Sequence, residues 1–182
     1  MNVELIYPFN EKYRDAHLAR VEQSPEIFET LIAWTKKPKN ILYLCGSVGT
    51  GKTYFSAAWY NHLIEKKFQY HVRVFREPDF YGTLNQCIDQ GWSTNEELKR
   101  LCQVPFFILD DMGCDKMTEH KYAVLESFIE ARLNNNYATI ITSNILASKL
   151  KENYNERICS RLLSYCNIIV DTSGPDRRQH IN

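Results

Sequence analysis

Residues Gly46-Ser47-Val48-Gly49-Thr50-Gly51-Lys52-Thr53 follow the pattern G-x-x-x-x-G-K-[ST]. Glycines at 46, 49 and 51 allow a tight backbone loop whose N–H groups turn inward on an anion. A helix starting at Lys52 adds the positive end of its dipole. The Lys52 ammonium suits β- and γ-phosphates, the Thr53 hydroxyl suits Mg²⁺, and Tyr54 continues the nucleotide-contacting run. The octapeptide lies between an apolar run, Ile41–Cys45, and a helix-like run from about Thr53 to Lys66, the context that phosphate binding needs. ATP with Mg²⁺ is the expected ligand.

Further groups fit the same chemistry. The run FFILDD ends in Asp110 and Asp111, and carboxylates at the C-terminal edge of a parallel sheet face a ligand crevice. Asp110 suits the metal, directly or through water, and Asp111 suits the orientation or deprotonation of an attacking water. Asp111 is one methylene shorter than a glutamate, so slow hydrolysis is expected. Asn144, ending ITSN, either lies beside Asp111 and helps position the water or is a turn residue after a strand. Arg157 and Arg161 stand four apart on one helix face beside Ile158 and Leu162. They either reach a neighbouring subunit's γ-phosphate or are solvated. Arg177 or Arg178, in SGPDRRQ, is within reach of the nucleotide from the same chain.

These residues need a scaffold that brings several strand ends together. Ser24 caps and Pro25 opens a helix with Ile27, Phe28, Leu31, Ile32 and Trp34 at helical spacing. Strands are expected at 41–45, 71–75, 104–111, 138–144 and 167–172. Helices alternate with them at 53–66, 79–87, 94–102, 118–134, 147–152 and 156–164. This alternation predicts an α/β fold with a mostly parallel sheet. Residues 1–23 read as an N-terminal segment and 24–182 as one domain.

Composition narrows the classes. The chain has 182 residues, 44% of them apolar, with 22 basic and 22 acidic side chains. It is not a bulk polycation, so nucleic acid would need a local basic patch or a partner. Lys36, Lys37 and Lys39 form one basic cluster; Arg73 and Arg76 form another beside Phe75, Phe80 and Tyr81. That second group suits stacking on a single strand, unless Phe80 and Tyr81 belong to the core. No apolar run approaches the ~20 residues of a membrane span, and the N-terminus lacks a signal-peptide pattern, so a cytoplasmic protein is expected. Cys45, Cys87, Cys102, Cys114, Cys159 and Cys166 form no CxxC pair, and buried reduced thiols are the simplest reading.

Taken together, these motifs resemble those of AAA+ ATPases, and more narrowly those of bacterial helicase loaders of the DnaC/DnaI type and the related IstB-like transposition ATPases. The resemblance covers nearly the whole chain: YRDAHL near residue 13, GSVGTGKT, LDDMG, ITSN, ERICSRL and GPDRR. It implies a five-stranded sheet in the order 5-1-4-3-2, flanked by helices, with little or no C-terminal lid. It makes Asn144 the sensor, Arg161 the arginine finger with Arg157 its partner, and Arg178 a shortened second sensor. It also implies ATP sites shared between self-associating subunits, contact with single-stranded DNA, and a replicative helicase as partner, engaged directly or through a bridge. The loaders' usual N-terminal helicase-binding domain is expected to be missing. A transposition helper and a small P-loop kinase are the competing functions; a kinase would lack the paired-arginine helix.

Overall fold

Five short runs rich in β-branched and aromatic residues form the strands β1 (Ile41–Cys45), β2 (Val72–Arg76), β3 (Phe106–Met112), β4 (Ala138–Ser143) and β5 (Ile168–Asp171). The computed structural model describes residues 7–68, 71–89 and 93–177. All strand pairs are parallel, in the order β2-β3-β4-β1-β5. This is the expected 5-1-4-3-2 sheet read from its other edge. Every residue of β1 and β4 is buried, as a parallel sheet covered on both faces requires.

The helices are α1 (Pro25–Lys36), α2 (Lys52–Glu65), α3 (Glu77–Asp89), α4 (Thr94–Cys102), α5 (Glu119–Asn134), α6 (Leu150–Asn153) and α7 (Glu156–Leu162). One core joins α3, α4, α5 and α7 to the sheet around Phe80, Phe107 and Phe128. The other joins α1 and α2 to the opposite face around Trp34, Phe55 and Trp59. Ser24 caps α1 by accepting the Ile27 N–H, and Thr118 caps α5 by accepting that of Lys121.

Several boundaries move. α3 begins at Glu77 rather than Asp79, because β2 runs into it without a loop and Pro78 falls in the first turn, where no N–H is needed. The expected helix at 147–152 is a 3-10 turn, Ala147–Lys149, followed by the single turn of α6. The segment before α1 is less irregular than its polarity implies. Two 3-10 turns, Glu11–Tyr13 and Leu18–Arg20, lie there, and Ala16 and Val21 enter the second core. The Asn61 amide of α2 fastens this segment by donating to the carbonyls of Arg14 and Ala16 at 3.0 and 2.8 Å.

All six cysteines are unpaired, but Cys114 and Cys166 are exposed, against the expectation of six buried thiols. Both sit in turns flanking strands, where side chains face solvent. Phe80 and Tyr81 are core residues and offer no platform to a base. No helix among the described residues is long and apolar enough to cross a membrane.

Arg132 staples the far end of the sheet. Fully buried on α5, it donates to Thr139 Oγ1 and to the carbonyls of Cys102, Val104, Pro105 and Ala138. Burial pulls its guanidinium down to about 10. Arg132→Ala strands these acceptors, and a loss of at least ~3 kcal/mol is expected in urea unfolding. An unchanged midpoint would refute the staple.

Candidate nucleotide-binding site

The phosphate loop is built by strand, turn and helix in immediate succession: β1 ends at Cys45 and α2 starts at Lys52. Gly49 and Gly51 have φ of 83° and 92°, a region that side chains resist. The Lys52 ammonium is buried against the loop, donating to the carbonyls of Gly46 and Ser47 at 2.8 and 2.7 Å. Thr50 Oγ1 donates to the Ser47 carbonyl at 3.0 Å, and the Gln23 amide to the Thr50 carbonyl at 2.7 Å. These hydrogen bonds brace the loop from within its own chain.

Thr53, in the first turn of α2, donates its hydroxyl to the Asp110 carboxylate, 3.2 Å from either oxygen. Thr142 of β4 donates to Asp110 Oδ1 at 2.7 Å and accepts the Asp111 N–H at 2.9 Å. Burial pushes the Asp110 carboxyl up to about 6; the Thr142 hydrogen bond opposes this and the Asp111 charge adds to it. A cation beside Asp110 and Thr53 would favour the ionised carboxylate. Two hard oxygen donors fit Mg²⁺, which takes one or two protein ligands and completes its shell with water and phosphate. No cluster of three or more His, Cys, Asp or Glu that could hold a metal ion occurs among the described residues.

Asp111 sits at the mouth of the site with φ of 59°, where β3 and β4 shift register between Leu109 and Met112. Such a conformation costs about 1–3 kcal/mol in a non-glycine residue. Its carboxylate pairs with Arg76 at 3.4 Å. Arg76 thus belongs to the cleft, and its grouping with Phe80 and Tyr81 as a nucleic-acid patch dissolves. Asn144 is exposed and lines the same cleft as Asp111.

The cleft encloses roughly 700 Å³. It is also walled by Phe9, Tyr13 and Val21 of the N-terminal segment, which sequence reasoning passed over. The available signal was Tyr7, Phe9 and Tyr13 spaced through an otherwise polar stretch. Tyr54 supports this wall: its ring packs edge-on against Tyr13, and its hydroxyl accepts the His17 N–H at 3.4 Å.

The chain after β5 folds back over the loop. Thr172 and Thr50 share a hydroxyl hydrogen bond of 2.8 Å, Ser47 Oγ donates to the Gly174 carbonyl at 3.2 Å, and the Arg177 N–H donates to the Gly49 carbonyl at 3.0 Å. The Asp176 carboxylate rests against Gly49, where a methyl group would collide with it. Arg177 lines the cleft and reaches Gln23 Oε1 at 3.4 Å; Arg178 lies outside the described residues.

Arg157 and Arg161 lie outside this cleft, on α7. Arg161 pairs with Glu130 of α5 at 3.0 Å and with Glu126 at 3.6 Å; Arg157 pairs with Glu126 at 3.3 Å. Surface pairs of this kind contribute ~0–1 kcal/mol and exchange readily for a better anion.

Residues 19–180 match the family described as IstB-like ATP binding protein. Over 114 residues the chain is 31% identical to the replicative helicase loader DnaI of Bacillus subtilis (strain 168), covering 62% of this chain and 36% of that protein. Over 117 residues it is 29% identical to the uncharacterized protein YdaV of Escherichia coli (strain K12), covering 64% and 46%. It thus spans less than half the length of these relatives. A DnaC helicase loader structure superposes with a TM-score of 0.74 at 23% identity, over 89% of this chain and 99% of that one. A replication initiator DnaA bound to AMPPCP and single-stranded DNA gives 0.74 at 22%, over 89% and 50%. These likenesses establish the AAA+ fold.

Proposed function

The chain belongs to the IstB-like ATP-binding protein family, and from that premise we infer that it is a helicase-loader-like AAA+ ATPase of the bacterial cytoplasm. It binds ATP in the cleft, hydrolyses it slowly at sites shared between subunits, and acts in DNA replication on single-stranded DNA with a replicative helicase, directly or through a bridging protein. One observation carries the ATP site: Thr53, one residue beyond the phosphate-loop lysine, lies 3.2 Å from the buried Asp110 carboxylate, at the end of a cleft sized for a nucleotide.

Each residue then has a task. Lys52 and the N–H groups of residues 46–53 hold the phosphates. Thr53 and Asp110 would hold Mg²⁺, which would supply charge neutralisation to the phosphoryl oxygens. Asp111 orients the water and takes its proton, and Asn144 helps to place that water. Arg161, with Arg157, serves the nucleotide of the next subunit. Arg177 borders the same nucleotide at the phosphate loop, and the second-sensor role that the motif resemblance gives Arg178 is proposed with it. The relatives' descriptions support the replication role, since they name a helicase loader and an initiator holding single-stranded DNA.

Titration with a fluorescent ATP analogue tests the site, and ATPase rate against protein concentration tests its sharing. Saturable binding and a rate rising faster than linearly are expected; linear scaling throughout would remove the shared site. A transposition helper is the second reading, which rests on the resemblance of the motifs to IstB-like transposition ATPases and on the IstB-like family match. Assays with a purified helicase and a purified transposase separate the two by which enzyme binds in an ATP-dependent manner.

Asp176 yields a further prediction. Its carboxylate lies on the loop that must receive a polyanion, so Asp176→Asn should tighten ATP binding about fivefold, or ~1 kcal/mol. Isothermal titration reads this; weaker binding would instead make Asp176 a nucleotide ligand.

A further inference from the structure

The junction of β2 and α3 places two consecutive residues on one functional turn. Arg76 reaches the Asp111 carboxylate. Glu77, fully buried, turns inward, and its Oε2 accepts the N–H of Gly113 at 2.8 Å and that of Asp115 at 3.3 Å. Its Oε1 has no hydrogen-bond partner among the described residues. A carboxylate is expensive to bury, and no charged side chain among the described residues is hydrogen-bonded to this one. Burial pushes its carboxyl upward, with the two backbone N–H groups opposing. Both of its hydrogen bonds lie on the turn at the C-terminal end of β3.

That turn contains Asp111 and Gly113, both with positive φ, and is closed by the Cys114 N–H donating to the Asp111 carbonyl at 3.2 Å. Thr142 holds its start through the Asp111 N–H, and Glu77 holds its end. A non-glycine residue keeps a left-handed conformation only where its surroundings over-determine it. The geometry points to Glu77 as a positioning residue for Asp111: it clamps the turn at the end of β3 in the conformation that presents the Asp111 carboxylate to the nucleotide cleft. This rests on the ATPase reading of the cleft.

Side-chain chemistry supplies the test. A glutamine in place of Glu77 would keep an oxygen for both N–H groups, whereas the similarly long methionine offers no comparable acceptor. Glu77→Met should lower ATP turnover about 10- to 100-fold while ATP affinity stays within about threefold, and Glu77→Gln should retain turnover within about threefold. A Glu77→Met protein as active as wild type, or one losing affinity in step with turnover, would overturn the assignment; so would a glutamine variant as impaired as the methionine one. Should the methionine variant fail to fold, hydrogen exchange on the wild-type protein still decides. The Gly113 and Asp115 amides should exchange at least ~100-fold more slowly than in an unstructured peptide, and exchange at the open-loop rate would overturn the clamp. A wild-type protein that binds but never hydrolyses ATP would sink the ATPase reading instead, leaving the exchange result to judge the clamp by itself.

Discussion

Lys52→Ala lowers ATP affinity by about 100-fold, equivalent to ~3 kcal/mol of charge-assisted hydrogen bonding. The physical ground is the position of the ammonium. It is 6% exposed and folded onto the carbonyls of Gly46 and Ser47, so it is already desolvated and aimed at the loop interior. A triphosphate entering the loop meets a pre-placed cation and pays little ordering entropy for it. Alanine removes the charge and also unpins two loop carbonyls. Circular dichroism melting therefore accompanies the titration, to confirm that the variant is folded at the assay temperature. A folded Lys52→Ala protein with wild-type ATP affinity would remove the phosphate-loop assignment.

Arg161→Ala leaves ATP binding intact and lowers hydrolysis by about 10³-fold, the lower end of what an arginine finger contributes. Arg161 lies outside the cleft of its own chain, tied to Glu126 and Glu130 of α5, and those partly exposed ion pairs are weak enough to be exchanged for a phosphate. If the phosphate belongs to a neighbouring subunit, mixing Arg161→Ala with Asp111→Asn restores part of the activity. The first variant brings an intact nucleotide site and the second an intact finger, and only mixed interfaces contain both. Steady-state ATPase assays over a series of mixing ratios show this as a maximum between the pure variants. Absence of activity at every ratio, or loss of ATP binding by Arg161→Ala alone, would return Arg157 and Arg161 to the role of surface residues.

Legibility varied with how local each feature is. The loop Gly46–Thr53 could be read directly because its chemistry depends on residues adjacent in the chain: glycines that accept positive φ, then a helix start, then a hydroxyl. Strand and helix identities were also readable, since alternating blocks of strand and helix pattern predict parallel crossovers; the observed strand order is the one that the motif resemblance implied. The helix expected at 147–152 was less legible, since a single turn carries too few residues to show a period, whereas the one expected at 156–164 is found as α7. Thr142 escaped notice inside an apolar strand, although it binds Asp110 and Asp111 together.

By itself, then, the order of residues determined the sheet, the phosphate loop and the acids that face it, because backbone propensity and anion chemistry act over a few neighbouring positions. Tertiary structure alone decided the pairings across the cleft. It brought Arg76 to Asp111 rather than to a basic surface patch, buried Phe80 and Tyr81, set Glu77 against Gly113, laid Asp176 on Gly49, and tied Arg161 to α5. Each of these contacts except the burial joins residues about 30 to 130 positions apart. Which of many possible partners a charged side chain meets at such separations depends on where the sheet places the strand ends, and no local pattern encodes that choice.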